Sequence, residues 1–129
     1  MVSDRVGDFI IRLKNASAIH REEVVAPYSK HIHAIAQKLR ELGFLTEVEQ
    51  TSNKRELHVV IAYADDGSAR LRDVRRISKP GRRVYISHRD AHVVAGGTGV
   101  RIISTPSGIV SDAQARRNRL GGEALFEIW

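Results

Sequence analysis

A few groups of residues in this chain are of types that can do chemistry, and their spacing limits what each can do. His88-Arg89-Asp90 spells the tripeptide of a kinase catalytic loop. That loop needs an Asn a few residues on, and Asn118 is far off. His88 and His92 stand four apart, but no HExxH pattern and no carboxylate in register accompanies them, so a polar surface is the better reading. His31 and His33, at i and i+2, face different sides of a helix and cannot hold one ion together. Gly97-x-Gly99 lacks the third glycine of a dinucleotide fingerprint, and no helix follows it; it reads as a bend before a strand. The chain has no Gly-x-Ser-x-Gly elbow and no P-loop. Nothing in this pattern supports catalysis, a cofactor or a metal.

A different kind of chemistry is offered by Ser104-Thr105-Pro106-Ser107-Gly108. Two hydroxyls end an apolar run of Val100, Ile102 and Ile103; Pro106 then fixes φ and Gly108 permits a turn at positive φ. Small hydroxyls on a turn at the mouth of a sheet donate and accept hydrogen bonds at close range, which suits phosphates, sugars and base edges. By themselves these five residues read first as a plain hairpin turn, and the rest of the chain has to move that reading.

Charge favours the first of these readings. The chain carries a formal +6 with a pI near 10.2. Residues 1–66 hold nine Lys/Arg against ten Asp/Glu, and residues 67–129 hold twelve against five. The positive excess therefore sits in the second half, which points to a polyanionic partner, nucleic acid first. An acidic membrane surface ranks behind it, because no basic amphipathic helix with large apolar anchors is present. The absence of cysteine excludes disulfides and thiolate metal sites and favours an intracellular setting. No apolar run reaches membrane-spanning length, and the start of the chain resembles neither a signal nor a transit peptide.

The elements that position these groups follow from periodicity. Val6, Phe9, Ile10 and Leu13 form one face of a helix that starts after Ser3 or Asp4 and ends near Asn15. Glu23–Ala26 reads as a strand closed by Pro27. Ser29 caps a second helix with Ile32, Ile35, Ala36, Leu39 and Leu42 inward and Gly43 as its stop. Phe44–Glu49 is a strand, residues 51–54 a turn, and Leu57, Val59, Ile61 and Tyr63 alternate down a returning strand. This first half is an α-β-α-β-β two-layer unit with both helices on one face of the sheet.

Asp65-Asp66-Gly67-Ser68 marks a boundary, giving a scaffold subdomain over 1–66 and a basic, β-rich subdomain over 67–129. In the latter, Leu71–Ile77 reads as strand, although Val74 and Ile77 also fit helical spacing. Ser78-Lys79-Pro80-Gly81 is a turn of type II character. Arg82–Ser87 and Val100–Ser104 are strands with a link holding Gly96, Gly97 and Gly99 between them. Ser111 and Gln114 form a capping box for a short helix through Leu120, ended by Gly121-Gly122. Glu123–Trp129 is a last strand with Ala124, Phe126 and Ile128 on one side. The fold class is α+β with two small subdomains, the second mostly β with one short helix.

Three pieces of the basic half stand together: Ser78-Lys79-Pro80-Gly81-Arg82-Arg83-Val84-Tyr85, the Ser104–Gly108 turn, and Ser111-Asp112-Ala113-Gln114-Ala115-Arg116 running to Gly121-Gly122-Glu123. Here the sequence resembles the bacterial-type small-subunit ribosomal protein number eight family. Asp8, Ile11-Arg12, Asn15 and Pro27-Tyr28-Ser29-Lys30 are similar to it as well, so the resemblance spans essentially the whole chain. It implies a cytoplasmic, ribosome-bound protein that contacts the central domain of small-subunit ribosomal RNA and acts early in assembly among neighbouring small-subunit proteins. In some relatives it also implies repression of the protein's own messenger RNA. Carried over, the RNA face includes Ser104, Thr105, Ser107 and Gly108, with Tyr85 and Glu123 in the binding pocket. Pro106 departs from the family, which commonly has Ser there.

Lys79, Arg82, Arg83, Arg116, Arg117 and Arg119 supply the long-range attraction, with Lys30 and Arg12 as peripheral phosphate contacts. Alternation along a strand sends only one of Arg82 and Arg83 toward the RNA. Tyr85 fits a stacking role or a half-buried core position. Glu123 can accept from a base amino group or position an arginine. The rival reading is a basic interaction module that docks an acidic protein, which asks for aromatic or aliphatic anchors that the hydroxyl-rich turn does not offer.

Overall fold

The computed structural model describes residues 4–90 and 99–129, so the readings placed on Ser3, His92, Gly96 and Gly97 lie outside the described residues. Two compact units are present: Asp8–Arg72 is one, and the residues up to Gly7 join Asp73–Trp129 in the other. Counted by these units, Lys/Arg against Asp/Glu is ten to nine in the first and eleven to six in the second. Arg70 and Arg72 fold with the nearly neutral unit.

In the unit Asp8–Arg72, a three-stranded antiparallel sheet runs in the order β1 (Glu23–Pro27), β3 (Glu56–Ile61), β2 (Leu45–Gln50). Leu57, Val59 and Ile61 alternate into the core; Val24 opposite Val59 and Ala26 opposite Leu57 extend the same apolar face. The helix α2 (Lys30–Glu41) buries Ile32, Ile35, Ala36 and Leu39. Ser29 caps it by accepting the Ile32 N–H at 3.1 Å. Gly43, at φ 91, stops it, with Phe44 N–H on the Leu39 carbonyl at 3.0 Å.

The helix α1 (Arg5–Ala18) buries Phe9, Ile10 and Leu13 as its spacing predicts, but it runs past Asn15. His20 takes the left-handed conformation usually left to glycine, at φ 56, and Arg21 N–H reaches the Ala16 carbonyl at 2.9 Å. Without a glycine there, the sequence carried no stop signal at the true end. The alternation of β3 ends at Ile61, one step before Tyr63. Tyr63 instead donates its hydroxyl to the Arg21 carbonyl at 2.6 Å.

The second unit is a five-stranded antiparallel sheet with β8 (Gly122–Ile128) at its centre. β4 (Val74–Arg76) and β5 (Tyr85–Ile86) pair with one edge of β8, and β6 (Val100–Thr105) with the other; β7 (Gly108–Ser111) completes a hairpin on β6. Because β8 is central, Ala124 through Ile128 are all buried, not only one alternating side. Glu127 is kept there by Arg101 opposite it, Nη2 to Oε1 at 3.3 Å.

The expected strand over Leu71–Ile77 contracts to three residues, and that over Arg82–Ser87 to two. Arg82 belongs to a tight turn, where Lys79 and Arg82 exchange both backbone hydrogen bonds at 3.0 and 2.9 Å. Gly81 in that turn is not left-handed, so the turn is not type II. The helix α3 (Asp112–Asn118) has the predicted Ser111/Gln114 capping box. It stops at Asn118, earlier than Leu120, because Arg119 adopts φ 54.

At the start of α1, Asp4 accepts the Gly7 N–H at 3.1 Å and holds the two terminal Arg76 guanidinium nitrogens, Nη1 and Nη2, each at 2.6 Å. That fork keeps the Asp4 carboxyl below its ordinary pKa.

Candidate nucleic-acid interface

Strand register builds the site. Tyr85 on β5 lies opposite Glu123 on β8, Glu123 lies opposite Ser104 on β6, and Ser104 lies opposite Ile109 on β7. Directly opposed residues share a face, so Tyr85, Glu123 and Ser104 form one row across three strands. Tyr85 is 71% exposed, which removes the reading of this residue as core. Ser104 is half-buried, and its hydroxyl has no hydrogen bond among the described residues.

The turn that ends β6 is a two-residue hairpin. Thr105 pairs with Gly108, leaving Pro106 and Ser107 at the tip and Gly108 at φ 120. The Thr105 hydroxyl accepts the Ser107 N–H at 3.1 Å and donates to the Gly108 carbonyl at 2.8 Å. Thr105 therefore organises the tip, and the exposed Ser107 hydroxyl has no hydrogen bond among the described residues.

Gly122 explains how closely these strands approach. A Cβ there would stand 2.1 Å from the Ser104 carbonyl oxygen and 3.1 Å from the Thr105 Cα. The Gly-Gly pair thus serves strand packing beside the hairpin, and it does not stop α3 as the sequence suggests.

Glu123 is held from two sides. Its Oε2 accepts the Ser78 hydroxyl and lies 3.0 Å from Arg83 Nη1. Ser78, 2% exposed, in turn accepts the Val84 N–H at 3.2 Å. The sequence placed Ser78 in a turn and at the head of a motif that carries the resemblance, but announced no contact for it; a buried serine seven residues before an exposed aromatic gives no signal of this clamp. Arg83 reaches Glu123 through Nη1 and Tyr85 lies opposite Glu123, so the guanidinium and the tyrosine meet the same row.

The remaining predicted residues are more dispersed. Lys79 and Arg82 are exposed on the turn before β5. Arg116 is tied to Asp112 at 3.1 Å; Asp112 also receives the Arg101 N–H at 3.0 Å, which fixes α3 to β6. Arg117 and Arg119 are exposed. Lys30 opens α2 at an exposed position in the other unit. Arg12, in that unit too, is engaged by Asp8 at 3.1 Å and by the Val25 carbonyl at 2.9 Å. No group of His, Asp and Glu suited to a metal occurs among the described residues.

The family model described as Ribosomal protein S8 matches residues 4–129. The chain belongs to the ribosomal protein S8 family. It is 36% identical over 131 residues to the small ribosomal subunit protein uS8 of Sorangium cellulosum, covering all of both chains. It is 38% identical to uS8 of Limosilactobacillus fermentum, over 99% of this chain and 98% of that one. Against uS8 of Trichormus variabilis the identity is 37%, with 98% of each covered. The family is one of structural ribosomal proteins of the small subunit, not of enzymes.

Proposed function

We propose that this protein binds the central domain of small-subunit ribosomal RNA directly and helps the subunit assemble in the cytoplasm, beside neighbouring small-subunit ribosomal proteins. In this reading residues 67–129 carry the RNA face and residues 1–66 serve mainly as scaffold. The observation that carries it is the row of an exposed tyrosine, an anchored guanidinium and a Ser104 hydroxyl without a hydrogen bond among the described residues, with a hairpin tip at its end. Irregular RNA helices present 2′-hydroxyls, phosphates and unstacked bases, which such a row can stack against and hydrogen-bond. The basic residues around it draw the polyanion in without fixing its sequence. A helix of like shape in the protein's own messenger RNA would engage the same face.

The test is filter binding of the purified chain to fragments of small-subunit RNA against length-matched duplex controls. Preference for a central-domain fragment supports the reading. Equal retention of all RNAs, or capture of an acidic protein in place of RNA, removes it.

A further inference from the structure

We infer that Arg83, and not its neighbour Arg82, is the specificity-determining cation of this face, and that Ser78 positions it through Glu123. The inference rests on the RNA-binding reading above and assigns unequal roles within it. Both arginines are exposed, but their surroundings differ. Arg82 closes a turn through its backbone, and its side chain has no ion pair among the described residues. The Arg83 side chain is 48% exposed, yet its Nη1 is fixed on Glu123.

Glu123 itself cannot swing freely. Its side chain is only 18% exposed and is gripped by the buried Ser78 hydroxyl. Ser78 uses its donor on Glu123 and an acceptor site on the Val84 N–H, the amide between Arg83 and Tyr85. The clamp therefore ties the carboxylate to the backbone just before β5, at the point where Arg83 emerges.

A guanidinium carries five N–H donors in a rigid fork, and one anchored corner leaves the others facing outward. Anchoring removes rotamer freedom before a ligand arrives, so less is lost on binding than for a free arginine. The group such a fork takes is a paired acceptor in RNA, either a phosphate or the O6/N7 edge of a purine. A lysine keeps the charge and loses the fork.

The experiment titrates full-length variants on a central-domain fragment and a duplex control at several salt concentrations, with thermal melts of each. Arg83→Lys should lower the preference for target about tenfold with the salt slope unchanged, and Arg82→Lys should leave the preference intact. Ser78→Ala should match Arg83→Lys, and the double variant should be no worse than either one, because both act through one contact. A merely structural role for Ser78 would add to the arginine effect instead. If Ser78→Ala melts below the assay temperature, Glu123→Gln, which keeps the shape and drops the ion pair, takes its place.

Repeating the Arg83→Lys comparison on RNA made with 7-deazapurines separates the two acceptors. A lost difference assigns a purine edge and a retained one a phosphate. Equal losses for Arg82→Lys and Arg83→Lys, or additive losses for Ser78→Ala and Arg83→Lys, overturn the assignment. The parent chain's own preference for target tests the RNA reading separately.

Discussion

Gly122→Ala should be among the most damaging single changes near the RNA face, although it adds one methyl group. The new Cβ would lie 2.1 Å from the Ser104 carbonyl oxygen, 2.9 Å from the Ser104 carbonyl carbon and 3.1 Å from the Thr105 Cα. All three atoms are backbone of β6, so no side chain can turn aside. Relief requires β6 and β8 to part next to the Ser104–Glu123 pair. Overpacking costs about 1–3 kcal/mol, and each ladder hydrogen bond stretched adds about 1 kcal/mol. A destabilisation of about 2–4 kcal/mol follows, which lowers the melting temperature by roughly 10 °C in a chain of this size. Two glycines serve as controls. Gly81 has open space and is not left-handed, so Gly81→Ala should leave the melt within a degree or two. Gly108 has open space but φ 120, so Gly108→Ala should lose about 1 kcal/mol from backbone strain alone. Thermal melts by circular dichroism read all three. If Gly122→Ala melts with the parent, the strands do not approach as closely as described and the geometry of the face is wrong.

Further outcomes follow from the hairpin tip and from Asp4. Ser107→Ala should weaken binding to target RNA more than Arg117→Ala while leaving the melt unchanged, since its exposed hydroxyl supports nothing in the fold; paired titrations on target and control RNA read the difference. Thr105→Val should reduce the preference for target severalfold and Thr105→Ser should retain it, because the hydroxyl ties Ser107 N–H to the Gly108 carbonyl. Asp4 is held below its ordinary pKa chiefly by Arg76, so its contribution to stability is complete above the unfolded carboxylate value of about 3.9 and is lost as pH falls through the lower folded value. With the Asp4 side chain 41% exposed, that contribution is at most about 1 kcal/mol; Asp4→Asn should cost this much at pH 7 and nothing near pH 2, read from urea midpoints at both.

The sequence was most legible where local chemistry decided the structure. Ser29 and Gly43 bound α2 because a side-chain cap and a left-handed stop are local devices. Leu57, Val59 and Ile61 disclosed β3 because only one face of that strand is buried. Legibility failed where partners distant in sequence decided. β8 shows alternation in Ala124, Phe126 and Ile128, yet its place between three strands buries Leu125 and Glu127 too. β7 is not announced between the Ser104–Gly108 turn and the Ser111 cap, because four residues carry too little periodicity. His20 and Arg119 stop helices in conformations their residue types do not announce. At the site, the hydroxyls of the hairpin and Tyr85 were legible as candidates. The division of labour was not: Thr105 holds the tip, and Glu123 is engaged by Ser78 and Arg83 across 45 and 40 residues of chain.

Backbone amide shifts of the isotopically labelled chain, followed while a central-domain fragment of small-subunit RNA is titrated in, test most directly whether this row is the RNA face. The largest changes should fall on Tyr85, Ser104, Ser107, Gly108 and Glu123, with α2 and β2 nearly still. Changes centred on α2 and β2, with the hairpin and Tyr85 unmoved, would contradict the assignment.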